Sequence, residues 1–153
     1  MKISIKESSL KYLAMASMFL DHFAHSLLLE TSFTYIVFRN LGRLAFPIFA
    51  FFIVEGFKNT NNLKKYFFRL VLFAFLSEIP FNLMVNSSIF YPDHQNVYFT
   101  LALGLAMLAF LDRYGKKTYI RYLIIGFFGF LAVLLKSDYS LTGIIYIALI
   151  YLL

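Results

Sequence analysis

The chain has 153 residues, of which 61% are hydrophobic and 20% aromatic, with a mean hydropathy of +0.75 and a formal net charge of +6. Soluble domains are only about 45–50% apolar, so the composition excludes an ordinary soluble domain and predicts a protein whose main partner is the lipid bilayer. There is no cysteine, which excludes disulfides and thiolate metal sites. The basic residues lie in short segments between apolar runs, so we expect no nucleic-acid partner.

Five apolar stretches are long enough to cross a bilayer, and a sixth is short. They cover residues 9–29, 36–57, 65–85, 96–113 and 119–136, then 140–153. The sequence therefore predicts an all-α fold, a polytopic integral membrane helix bundle of five to six transmembrane helices in a single domain over residues 1–153. A span needs about 20 residues, so at 141–153 the chain is either cut short or forms a partial span.

The distribution of positive charge predicts the orientation of these spans. With the N-terminus in the cytoplasm, every Lys and Arg except Arg39, Arg43 and Lys136 lies on the cytoplasmic side, Lys2 and Lys6 included. Cytoplasmic loops carry an excess of Lys and Arg, so this bias supports a cytoplasmic N-terminus.

The second stretch, Leu41–Phe57, contains Arg43, Pro47 and Glu55, which a simple lipid anchor does not need. A charged group in hydrocarbon costs roughly 2.5–3.5 kcal/mol on insertion scales, so such groups usually face partners within a bundle. Pro47 predicts a helix kink. Arg43 and Glu55 are separated by about 18 Å along a helix, so each requires a partner from another span.

The predicted orientation sorts the polar side chains into two layers. The inner layer contains Glu55, Arg69 and a basic rim of Lys58, Lys64 and Lys65. The outer layer contains Asp21, His22, His25, Arg43, Glu78, Asn82, Asn96 and Thr100, with Asp138 on the neighbouring loop. Two cross-helix ion pairs are predicted, Arg43 with Asp21 or Glu78, and Arg69 with Glu55.

Helical geometry restricts the roles of the two histidines in the first stretch. Asp21 and His25 are four residues apart and share a helix face, so Asp21 can hold His25. His22 points about 100° away from Asp21 and needs another carboxylate, for which Glu78 is the candidate. A histidine held by a carboxylate is a general-base arrangement. One carboxylate and two histidines are too few ligands to predict a metal site.

Four segments carry a resemblance to a known family. They are LKYLAMASMFLDHFAH at 10–25, LGRLAFPIFAFFIVEGF at 41–57, FFRLVLFAFLSEIPFNL at 67–83 and QNVYFTLALGL at 95–105. Together they resemble the TraX family, in the same order and over nearly the whole chain. Asn82 stands where the family often has Asp, so at this position we expect a hydrogen-bonding side chain and not a base.

The resemblance implies a multi-pass protein of the bacterial inner membrane and an acyltransferase activity. The family is named for a protein that N-acetylates pilin subunits for conjugation, which implies acetyl-CoA as donor. The implied acceptor is an amine or hydroxyl of a peptide, glycan or lipid. His22 would be the general base, with Glu78 orienting it and Asp21 beside it, and Arg43 would hold the bundle or the developing oxyanion.

The same resemblance implies two binding regions. Lys58, Lys64, Lys65, Arg69 and Glu55 would hold the phosphates of CoA at the inner side, and His25, Asn82, Asn96 and Thr100 would bind the acceptor.

Two other functions stay open. The chain could be a small proton-coupled transporter, in which Asp21, His25 and Glu78 relay protons, or a non-catalytic membrane assembly partner. The sequence decides neither the acceptor nor the oligomeric state.

Overall fold

The computed structural model describes residues 7–153. Lys2 and Lys6, which were predicted to lie on the cytoplasmic side, are outside the described residues. The helices are α1 Glu7–Leu27, α2 Phe33–Gly42, α3 Ala45–Asn59, α4 Leu63–Asn86, α5 Val97–Tyr114, α6 Thr118–Leu134 and α7 Ser140–Leu152. The all-α prediction is confirmed over this part of the chain, which contains one isolated β-bridge, between Gln95 and Ser137, and no strand.

Long apolar helices confirm a helical membrane bundle. Among the described residues, three helical segments are long and apolar enough to cross a membrane: Phe33–Asn59, Leu63–Asn86 and Val97–Tyr114. Thr118–Leu134 and Ser140–Leu152 are shorter apolar helices. Helix α1 corresponds to the predicted span at 9–29 but is not among the three, because Asp21 and its two neighbouring histidines lower its hydropathy. The number of spans and their orientation stay predictions.

Many large apolar side chains are exposed over the outside of the helices. Phe68, Phe75, Leu76, Leu123 and Phe130 are each at least 60% exposed. Large contiguous apolar patches are rare on monomeric soluble proteins, whereas exposed apolar side chains are ordinary where lipid tails surround them.

The chain divides into two compact units, Met1–Phe49 and Ala50–Leu153, and each is described by itself. The predicted single domain stays a prediction. In the first unit α1 packs against α2, with the rings of Phe23 and Phe38 centred 6.4 Å apart. Gly42 permits this packing, because a Cβ at that position would lie 2.8 Å from the Asp21 Cα.

The helix over the predicted span at 36–57 is interrupted by a turn. Helix α2 ends at Gly42, residues Arg43 and Leu44 form a turn, and α3 begins at Ala45. Pro47 explains the position of the turn, because its ring clashes with the carbonyl of the residue four positions earlier, which is Arg43. A proline is tolerated in the first turn of a helix, so the predicted kink is instead a break that places Pro47 at the start of α3.

Helix α5 is the centre of the second unit, where it contacts α4, α6 and α7. Leu105, Met107 and Leu108 are fully buried there, as is Ile147 on α7. Gly104 faces Ile147, and a Cβ at that position would collide with the end of the isoleucine side chain. Its missing side chain therefore allows α5 and α7 to pack closely.

Candidate functional site

The first polar group lies between α1 and α2. Asp21 forms an ion pair with Arg39, with 2.6 Å between Asp21 Oδ2 and Arg39 Nη1. The predicted partner was Arg43, and this part of the prediction is wrong: Arg39 lies one turn earlier on α2, whereas Arg43 is an exposed residue of the turn that follows. The break caused by Pro47 removes Arg43 from the helix face that meets Asp21.

The two histidines of α1 differ in burial. His22 is half-buried and His25 is exposed. Asp21, which was expected to hold His25, instead meets Arg39 on α2. Glu78 was predicted to pair with His22 and with Arg43. Both of these residues belong to the first unit, whereas Glu78 belongs to the second, so the two pairs stay predictions.

Glu78 is held by Asn96 at the point where α5 begins. Its Oε2 accepts from the Asn96 side-chain amide at 2.6 Å and from the Asn96 backbone N–H at 3.3 Å. The same amide donates to the Ala74 carbonyl at 2.7 Å, while Asn96 Oδ1 caps α5 by accepting from the Tyr98 N–H at 3.0 Å. Asn96 is 3% exposed, so this network joins α4 to α5 inside the protein.

Two acceptor oxygens on α4 stay without a partner among the described residues. They are Glu78 Oε1 and Asn82 Oδ1, and both atoms are buried. Because the two residues are four positions apart, they share one helix face. A buried acceptor without a donor costs about 1–3 kcal/mol, so this face suits a ligand that donates hydrogen bonds.

Thr100, predicted to bind the acceptor, is instead used within the fold. It is fully buried, its hydroxyl donates to the Asp138 carbonyl, and it lies 3.0 Å from the Ser137 hydroxyl. Ser137 in turn donates to the Ala132 carbonyl at 3.2 Å. These bonds tie the start of α5 to the turn between α6 and α7.

A second connection joins the 87–96 loop to the same turn. The Gln95 N–H donates to the Lys136 carbonyl at 3.0 Å, and the Asp138 N–H donates to the Gln95 carbonyl at 2.9 Å. Two ion pairs flank these bonds, Lys136 with Asp93 and His94 with Asp138. Sequence reasoning missed His94; its position just before Gln95 and Asn96 in a loop between two spans was the available signal.

An open cavity of about 370 Å³ lies at the other end of α4. Gly56, Thr60, Asn61, Asn62, Lys65, Tyr66 and Arg69 line it. Asn62 caps α4 by accepting from the Lys65 N–H at 2.9 Å. Lys65 and Arg69 are exposed, and neither forms an ion pair within residues 7–153. The cavity thus combines two uncommitted cations with a helix N-terminus, a combination that suits an anion.

The other residues of the predicted inner layer lie outside this cavity. Lys58 is 6.0 Å from the centre of the Tyr151 ring, and Lys64 is exposed and not among the residues that line the cavity. Glu55 accepts from the Asn59 amide at 2.6 Å. The predicted pair of Arg69 with Glu55 is therefore not formed, because a neighbour on the same helix satisfies the carboxylate and leaves Arg69 facing the cavity.

No group of three or more His, Cys, Asp or Glu side chains among residues 7–153 could hold a metal ion.

Comparison with known proteins supports the resemblance noted above. The family described as "TraX protein" matches residues 6–153. The chain is also similar to a protein of Dichelobacter nodosus named "Probable fimbrial assembly protein FimC, serogroup H1", with 36% identity over 113 residues. That match covers 69% of this chain and 46% of the relative, so the chain spans about half the length of the curated relative it matches. No solved structure matches the chain.

Proposed function

We propose that this chain, which belongs to the TraX family, is an integral membrane acyltransferase that moves an acetyl group from acetyl-CoA to an amine or hydroxyl acceptor. The observation that carries the proposal is the basic cavity at the N-terminus of α4. We place the protein in the bacterial inner membrane, where it is multi-pass with its N-terminus in the cytoplasm.

The cavity has the chemistry that the phosphates of an acyl-CoA require. Lys65 and Arg69 are four residues apart and share one face of α4, so both can reach a single ligand. Charge-assisted hydrogen bonds to phosphate are about twice as strong as neutral ones, and arginine binds phosphate with two parallel donors. The positive end of the helix dipole adds to the attraction.

The opposite end of α4 suits the acceptor. Arg69 and Asn82 are 13 residues apart, about 20 Å along the helix. An acyl-CoA suits such a separation, because its long pantetheine arm carries the acyl group far from the phosphates. The free oxygens of Glu78 and Asn82 lie at this end and could receive the donors of an amine or hydroxyl. The sequence predicts that His22 takes the acceptor's proton, and that assignment stays a prediction.

The direct test is release of free CoA by the purified protein in nanodiscs. Acetyl-CoA is supplied with and without a mixture of peptides, sugars and lipids that carry amines or hydroxyls. We expect release that depends on the acceptor. A protein that neither binds acetyl-CoA nor releases CoA with any acceptor would contradict the proposal.

A non-catalytic role in assembly is the second candidate, and the name of the fimbrial relative favours it. The two candidates differ in their dependence on the cavity. If a Lys65→Ala/Arg69→Ala variant no longer binds acetyl-CoA yet still supports fimbrial assembly in cells, the assembly role is favoured.

A further inference from the structure

His94 lies where the 87–96 loop meets the turn between α6 and α7, and its position is fixed by the backbone. The next residue, Gln95, pairs with Lys136 and Asp138 through two backbone hydrogen bonds of 3.0 and 2.9 Å. These bonds hold the two loops in register, so the distance between His94 and Asp138 does not depend on flexible side chains alone.

The Asp138 carboxylate is held from its own backbone. Its Oδ1 accepts from the Tyr139 N–H at 3.0 Å, and its main-chain carbonyl accepts from the buried Thr100 hydroxyl. Tyr139 has a φ of 60°, a left-handed conformation that non-glycine residues adopt at a cost, so this turn is held by its surroundings. Asp138 is therefore a carboxylate with a preset direction.

His94 lies beside this carboxylate and remains accessible. Its Nε2 lies 3.6 Å from Asp138 Oδ1, and its ring packs edge-on against Phe81 with the centres 5.5 Å apart. The side chain is 45% exposed. Its Nδ1 makes no hydrogen bond within the described part of the chain, which leaves that nitrogen available to a ligand. A carboxylate 3.6 Å from one nitrogen and an open second nitrogen are the parts of a general base, whose contact with the carboxylate tightens to a hydrogen bond when the substrate is bound.

We propose that His94 takes the proton of the acceptor during acyl transfer, with Asp138 as its positioning residue; this rests on the acyltransferase function proposed above. The acceptor nitrogen or oxygen forms a bond to the acetyl carbonyl carbon while its proton passes to His94. The carbon–sulfur bond then breaks, and the departing CoA thiolate receives that proton, which regenerates the neutral imidazole.

The groups around His94 determine how kcat should depend on pH. Contact with the Asp138 carboxylate raises the pKa of His94 above its usual value of about 6.5, partial burial opposes this, and the charges of Asp138 and Glu78 add to the increase. Asp93 and Lys136 form an ion pair beside it in the same two loops. The base must be neutral to accept a proton, so kcat should rise with pH through this raised pKa.

The test compares three variants in nanodiscs. His94→Gln keeps a polar side chain but cannot act as a base, so kcat for acceptor-dependent CoA release should fall by about 10²–10⁴-fold, with acetyl-CoA affinity unchanged. Asp138→Asn should lower kcat less and move the rising limb of the pH profile to lower pH. Asp93→Asn breaks the neighbouring exposed loop–loop ion pair and should change kcat by about twofold or less.

These outcomes separate the inference from the proposed function. Wild-type turnover that persists in His94→Gln would overturn the inference and leave the acyltransferase standing. An equal loss of kcat in Asp93→Asn would also overturn the inference, because the variants would then act by disturbing the connection between the two loops and not by removing a base. Absence of turnover and of acetyl-CoA binding in the wild type would overturn both.

Discussion

The two ends of α4 carry opposite kinds of polar site. At the N-terminal end, Lys65 and Arg69 are exposed beside a cavity and form no ion pair within residues 7–153. At the C-terminal end, Glu78 and Asn96 are bonded to each other and to the backbone, and Asn96 is almost fully buried. The first arrangement leaves charge available to a ligand, whereas the second uses Asn96 and one oxygen of Glu78 to join helices.

This difference shows that membrane depth alone does not distinguish a binding residue from a structural one. Asn96 and Thr100 lie in the layer predicted to bind the acceptor, yet their hydrogen bonds are directed to Glu78, Ser137 and the backbone. The predictions below test the contrast by separating effects on stability from effects on binding.

The largest effect on stability is expected for Asn96→Ala. The change removes the cap of α5 and both side-chain donors to α4, which should lower the free energy of unfolding by about 2–4 kcal/mol. Denaturant unfolding in detergent micelles measures this change. Asn40→Ala is the control: its exposed amide bonds only the Ile36 carbonyl of its own helix, so we expect a change within about 0.5 kcal/mol.

Thr100→Val should have the next largest effect, a loss of about 1–3 kcal/mol, since it removes a buried hydroxyl without changing the shape of the side chain. The matched control is Thr142→Val, whose hydroxyl donates to the Tyr139 carbonyl from an exposed position. Equal losses in the two variants would show that the connection between α5 and the α6–α7 turn is not specially stabilising.

Lys65→Ala/Arg69→Ala should behave in the opposite way. Neither side chain is committed to the fold, so the free energy of unfolding should change by about 0.5 kcal/mol or less. A loss as large as that of Asn96→Ala would mean that these cations hold the structure together, and the contrast between the two ends of α4 would disappear.

The smallest effect concerns the pH dependence of stability. The pKa of His94 is raised in the folded protein. Its contribution to the free energy of unfolding is therefore fully present below the pKa of the unfolded chain, about 6.5, and is lost as the pH rises through the pKa of the folded protein. The contribution should be about 1 kcal/mol or less, as for other exposed ion pairs. Thermal unfolding between pH 5 and about pH 9 should show it in the wild type, and Asp138→Asn should flatten that curve.

Much of the fold follows from the sequence. The apolar stretches predicted at 65–85, 96–113, 119–136 and 140–153 each correspond to one helix of the structure, α4 to α7, because runs of apolar residues satisfy their backbone groups in a bilayer by forming helices. Hydropathy did not reveal the turn at Arg43 and Leu44. The turn is caused by Pro47, whose ring clashes with the carbonyl of Arg43, four residues earlier. A single proline leaves the apolar character of the stretch unchanged.

The candidate site was less predictable, because it depends on which side chain a helix face presents. The sequence placed four basic residues in the inner layer, and only Lys65 and Arg69 line the cavity, since they occupy one face of α4. Arg43 was the arginine predicted to pair with Asp21, but the partner is Arg39. His94 was missed because its link to Asp138 joins loops 44 residues apart, a contact that no local pattern encodes.

The central claim is that the α4 cavity binds the acyl donor, and equilibrium binding of acetyl-CoA in nanodiscs tests it most directly. We predict that Lys65→Ala/Arg69→Ala weakens binding roughly 10- to 100-fold, as expected for the loss of charged hydrogen bonds. The control is Lys116→Ala/Lys117→Ala, which removes the same charge from another loop on the same predicted side of the membrane and should bind like the wild type. Equal binding by the wild type and both variants would contradict the claim.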